Sequence, residues 1–139
     1  MTVKHVTPPE AWDILQSSPE AALLDVRTSM EFEYVGHPVS AINVPWQEAP
    51  DWSVNKDFAD MVRKTLSTKM GPEVDIELLP VLTICRSGKR SLAAAETLLK
   101  SGFKKVYNIE QGFEGDRDGA KHRNTINGWR HHNLPWEQS

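Results

Sequence analysis

Cysteine occurs only once, at Cys85, in a chain of 139 residues. One thiol cannot close an internal disulfide, and no thiol cluster marks a metal site, so a reducing cytoplasm is the expected location. An excess of one charge is also missing. Sixteen Lys and Arg stand against nineteen Asp and Glu, a formal net charge of -3, which gives no general attraction to nucleic acid or a membrane surface. Apolar runs are short: stretches such as Leu78 to Leu82 fall far below a bilayer span. Met1 to Glu10 carries prolines and no apolar core of a secretory signal. Internal repeats and low-complexity tracts are absent. What remains, 39% hydrophobic and 25% charged residues, is the composition of an ordinary globular protein, and the length suits one domain over residues 1–139. One thiol, inert or reactive, is therefore the question the sequence poses.

The pattern of elements alternates. Val3 to Val6 reads as a short strand, and Thr7 with Pro8 as the start of a helix through Gln16, stopped by Ser17-Ser18-Pro19. Ala21 to Val26 reads as a buried strand that carries Asp25 near its end. Ser29 is placed to cap a helical turn over Glu31 to Tyr34, and Ala41 to Val44 is a further brief strand. Lys56 to Ser67 has helical spacing, with Phe58, Val62 and Leu66 on one face. Pro80 to Ile84 is the clearest buried strand and runs directly into Cys85. Ser91 to Lys100 then reads as a strong helix, and Val106 to Ile109 as a last strand. Alternating strands and helices predict an α/β fold around a parallel sheet. Trp46, Trp52, Trp129 and Trp136 are expected to be core or anchoring residues.

Cys85 sits between the best strand and the best helix, at the carboxyl end of a parallel strand, where ligands bind in such sheets. The helix that follows turns its free N–H groups and the positive end of its dipole toward the loop, which favours a thiolate. Arg86, Lys89 and Arg90 add cationic groups within five residues, and Gly88 lets the backbone curl into an anion nest. A lone cysteine is most often a small buried hydrophobe. A core thiol, however, has no use for three flanking cations, so the pattern points to a reactive nucleophile.

Taken together these segments resemble a rhodanese homology domain. Leu23-Leu24-Asp25-Val26-Arg27, with Glu31-Phe32 after it, is similar to the first family signature. Gly36-His37 and Ala41-Ile42-Asn43-Val44-Pro45 resemble the second, and Cys85 to Ser91 resembles the active-site loop. Tyr107 to Gly112, then Gly128-Trp129 with Leu134-Pro135, resemble the closing strand, turn and tail. The resemblance implies a parallel five-stranded sheet with helices on both faces. It also implies a sulfurtransferase: Cys85 takes the outer sulfur of thiosulfate or another persulfide donor as a persulfide, then passes it to a thiol or cyanide. No cofactor is implied, and a sulfur-accepting protein is a compatible acceptor. Arg86, Ser87, Gly88, Lys89, Arg90 and Ser91 are expected to bind the anionic donor and the persulfide. The basic loop favours thiosulfate over mercaptopyruvate. Asp25 and Arg27 are expected as a structural ion pair and His37 as a hydrogen-bonding support.

The sequence departs from the family between Phe113 and Asn127. This stretch carries Glu114, Asp116, Arg117, Asp118, Lys121, His122 and Arg123. It reads either as an inserted loop at the active-site mouth that shapes acceptor choice or as a solvated excursion. Asp116 to Gly119 lacks the remaining ligands of a calcium loop, and adjacent His131 and His132 are weak support for zinc, so no metal is expected. A phosphatase or arsenate reductase is the first rival. Its loop needs arginine at the sixth position after the cysteine, which is Ser91 here, with Arg90 one residue early. A non-enzymatic sulfur carrier or docking module is the second, and docking modules of this kind commonly lack the cysteine.

Overall fold

The computed structural model describes residues 2–139. Thr7 opens the first helix with a reciprocal cap. Its hydroxyl accepts from the Glu10 N–H, and the Glu10 carboxylate accepts from the Thr7 N–H at 2.8 Å. The elements in chain order are β1 (Lys4–Val6), α1 (Pro8–Ser17), β2 (Ala22–Asp25), a π-helical turn (Glu31–Val35), β3 (His37–Pro38), β4 (Ile42–Asn43), α2 (Phe58–Met70), a 3-10 turn (Ile76–Leu78), β5 (Pro80–Ile84), α3 (Lys89–Lys100), β6 (Lys105–Ile109) and β7 (Trp136–Glu137).

Five strands pair in parallel in the order β1-β6-β5-β2-β4, which puts β5 at the centre. Alternation along the strands splits the core in two. Leu24, Val26, Val81 and Val106 face α2 and α3, whose Phe58, Val62, Leu66, Ala94, Ala95 and Leu98 are buried against them. Leu23, Leu82, Ile84 and Ile109 face the other way, toward Ala11 of α1 and toward Phe113 and Trp129 of the C-terminal segment. Helices thus cover both faces of a parallel sheet, and the expected α/β architecture holds.

Differences from the sequence reading lie at element ends. Helix α2 continues to Met70, and α3 starts two residues early, at Lys89, capped by Gly88. The turn after β2 is closed by Thr28 and not by Ser29. The Thr28 hydroxyl accepts from the Glu31 N–H at 3.2 Å, and the Glu31 carboxylate accepts back from the Thr28 N–H and hydroxyl. Strands β3 and β7 form a second, antiparallel pair that clips the C-terminus to the turn beside β2. Two residues per strand are too few for a periodicity signal. No helix among the described residues is long and apolar enough to cross a membrane.

Candidate active site

The central strand ends at Ile84, and the chain turns through residues 85–88 into α3. Gly88 makes that turn possible with φ of 110°, a left-handed conformation that disfavours other residues. Its N–H donates to Cys85 Sγ at 3.1 Å, and Ser91 Oγ lies 3.3 Å from the same sulfur. The first turn of α3 adds N–H groups without intrahelical partners and the positive end of the helix dipole. Cys85 exposes only 1% of its surface.

The outer side of the loop is pinned by the segment after β6. Phe113 N–H donates to Cys85 O at 2.8 Å, and Glu114 N–H donates to Arg86 O at 3.0 Å. This contact requires Gly112: a Cβ there would lie 2.5 Å from the carbonyl carbon and oxygen of Arg86.

Two buried polar residues that the sequence reading did not assign stand behind the sulfur. The Ser91 hydroxyl donates to Asn108 Oδ1 at 2.6 Å, and the Thr83 hydroxyl donates to Ser91 O at 2.9 Å. Thr83 and Asn108 are register partners on β5 and β6. The available signal was one polar residue in each of two otherwise apolar strand cores. Ser91 carries a single hydroxyl proton, given to Asn108, so its oxygen is left to accept from Cys85.

The cations divide. Arg86 is exposed at the mouth of the loop. Lys89 is exposed on the first turn of α3 and does not line the cleft described below. Arg90, expected among the donor-binding cations, already has a partner within the protein. Its guanidinium holds Glu31 through two bonds of 2.8 and 3.0 Å, so its charge is matched before any ligand arrives. Burial alone would lower the Arg90 pKa and raise that of Glu31. The pairing outweighs burial on both sides, leaving Arg90 above and Glu31 below its ordinary value. Glu31 therefore ties α3 to the Thr28 turn.

Asp25 and Arg27 lie fully buried as an ion pair, with bonds of 2.6 and 2.9 Å. Arg27 also donates to Gly36 O and lies over the Phe113 ring at 4.6 Å. Both residues brace the floor under the segment that pins the loop. His37 stacks on Phe32 at 3.7 Å, bonds through Nδ1 to Phe32 O and faces Glu137 with Nε2. It supports the π-helical turn and the C-terminal clip, away from the sulfur.

A cleft of about 750 Å³ opens at the mouth of the loop. Glu31, Val35, Trp52, Arg86 and Arg90 line it together with Glu114 and Lys121 to Asn124. Residues 113–127 thus contribute Glu114 and Lys121 to Asn124 to the lining of this cleft. They hold their shape without helix or strand: the Asp118 carboxylate accepts from the N–H groups of Ala120 and His122 and from the Thr125 hydroxyl, at 2.7–2.9 Å. Arg130, another residue the sequence reading passed over, anchors this wall through Asn124 Oδ1 and Val35 O. Trp129 and Trp46 are packed as expected, whereas Trp52 is about half exposed and belongs to the cleft.

The pattern described as "Rhodanese-like domain" matches residues 7–117. The chain is 35% identical over 137 residues to "Uncharacterized protein RP600 homolog" of Rickettsia rickettsii, covering 99% of both chains. It is 28% identical over 115 residues to "Thiosulfate sulfurtransferase GlpE" of Haemophilus influenzae, covering 83% of this chain and 89% of that one. The crystal structure of Rv0390 from M. tuberculosis superposes along the full length of both chains, with a TM-score of 0.84 and 34% identity.

Proposed function

The chain belongs to the rhodanese-like domain family, and on that premise we propose that it is a sulfurtransferase carrying sulfur as a persulfide on Cys85, with thiosulfate or another persulfide donor as the source. The observation that carries this reading is the sulfur of Cys85 at the end of the central strand, receiving the Gly88 N–H at 3.1 Å.

The Cys85 thiolate attacks the outer sulfur of thiosulfate. A new S–S bond forms at Sγ, and the bond to the sulfonate sulfur breaks with its electron pair, which leaves as sulfite. The terminal persulfide anion that remains falls within reach of the loop N–H groups and the positive end of α3. An acceptor, thiolate or cyanide, attacks that outer sulfur, and the electron pair returns to Sγ. Each turnover restores the thiolate and needs no external oxidant. Arg86 at the mouth binds the dianionic donor, with Lys89 adding long-range attraction, while Ser87, Gly88 and Ser91 shape the cradle. Arg90, Asp25, Arg27 and His37 act by holding the loop and its neighbours in place.

A phosphatase finds less support here, because the arginine that would grip an oxyanion is Arg90, already bound to Glu31. A non-enzymatic sulfur carrier differs only in the acceptor and uses the same persulfide. The test is thiocyanate formation from thiosulfate and cyanide by wild type and Cys85→Ser. Turnover by wild type that falls to background in the variant, with circular dichroism unchanged, is the expected result. An unchanged rate in the variant would sink the mechanism.

A further inference from the structure

The cleft at the loop mouth is far larger than a sulfane anion requires; at about 750 Å³ it has the size of a site for a small organic ligand. Four cationic side chains, Arg86, Arg90, Lys121 and Arg123, line it against two carboxylates, Glu31 and Glu114. Glu31 is spent on Arg90. Glu114 faces Arg130 at 3.9 Å. Arg86 and Arg123 therefore both line the cleft as like charges with no carboxylate bonded to either guanidinium among the described residues. Partial burial, and then the charge of Arg86, hold Arg123 below the ordinary guanidinium value, an unfavourable arrangement that a bound anion relieves. Arg123 is aimed by its own wall, donating from Nη1 to Gly115 O at 2.7 Å. Trp52, about half exposed, supplies an apolar face in the same cleft.

We propose that this cleft is the acceptor subsite and selects a small organic thiol carrying anionic groups, the anion held between Arg86 and Arg123 and the stem lying on Trp52. This rests on the sulfurtransferase reading and specifies its second half-reaction. The acceptor thiolate attacks the outer sulfur of the Cys85 persulfide. One S–S bond forms to the acceptor, the bond to Sγ breaks, and the product is an acceptor persulfide anion with the Cys85 thiolate restored. Residues 113–127 are then the insertion that sets acceptor choice, with Arg123 and Trp52 as specificity-determining residues.

The experiment compares kcat/KM for mercaptosuccinate and for the neutral thiol 2-mercaptoethanol, at saturating thiosulfate, in wild type, Arg123→Gln, Arg123→Lys and Trp52→Ala. The preference of wild type for mercaptosuccinate is expected to fall about tenfold in Arg123→Gln, the scale of one lost charge-assisted contact, to survive largely in Arg123→Lys, and to fall in Trp52→Ala. An unchanged preference, or an equal loss for both thiols, overturns the proposal. A second arm measures binding of (methylthio)succinate, which cannot accept sulfur, to the Cys85→Ser protein by tryptophan fluorescence. Binding lost with Arg123→Gln is expected. Persulfide loading by wild type without such binding would overturn the acceptor subsite alone. Arg123-dependent binding without any loading would keep the anion site and overturn sulfur transfer.

Discussion

The Cys85 loop and the 113–127 segment meet at one cleft, yet they are held by different forces. The loop is fixed by backbone and burial: a central strand before it, a helix after it, a left-handed glycine at the corner and Gly112 pressed against its outer side. The wall is fixed by side chains at the surface, chiefly the Asp118 carboxylate gathering three donors. The proposed persulfide chemistry would need a cradle that does not move, and backbone supplies one. Selectivity toward an acceptor can rest on a loop whose side chains are exchanged without touching the core.

The largest effect short of removing the sulfur is expected where the two regions touch. Gly112→Ala places a Cβ 2.5 Å from Arg86 backbone atoms at a φ of 65°. It should cost about 2–3 kcal/mol and lower the melting midpoint by roughly 6–12 °C, with sulfur transfer falling in the protein that remains folded at 25 °C. A midpoint within about 2 °C of wild type would show that the loop is not pinned from this side.

The next effect tests the link between α3 and the Thr28 turn. The Glu31 carboxyl is held below its usual value of 4.5 by Arg90 and Thr28, against the opposing effect of burial. A depressed carboxylate stabilises the fold above its unfolded pKa, and that contribution is lost as pH falls through the folded one. Wild type should therefore exceed Glu31→Gln in stability by about 1 kcal/mol at neutral pH. The gap should stay constant down to about pH 5 and close below 4.5. Paired urea titrations at several pH values measure it, and a gap that widens in acid would refute the assignment.

The smallest effect belongs to the wall. Asp118→Asn weakens the set of bonds that lowers the Asp118 pKa, the His122 N–H first among them. Hydrogen exchange should quicken in residues 116–125 with the midpoint little changed, and the preference for anionic thiols should drop about twofold. Faster exchange across β5 or α3 would mean that wall and loop are one cooperative unit.

This same division decided what could be read in advance. Pro80 to Ile84, Cys85, Gly88 and the helix behind them are contiguous, and their signals are local: an apolar run, a turn residue, an amphipathic repeat. The parallel sheet and its covered faces followed from that alternation. The fate of Arg90 did not, because Glu31 lies 59 positions away and a sequence shows a cation without showing its partner. Asn108 and Thr83 looked like single polar residues in apolar strands until the β5–β6 register set them side by side. In residues 113–127 neither helix nor strand repeats, and the order comes from carboxylate-centred turns that composition alone cannot tell from a solvated loop.

Intact mass of the purified protein after incubation with thiosulfate, before and after cyanide, tests the central claim most directly. A gain of one sulfur atom on wild type, absent from Cys85→Ser and removed by cyanide as thiocyanate, is the predicted result. A wild-type mass unchanged by thiosulfate and by polysulfide alike would contradict the persulfide account.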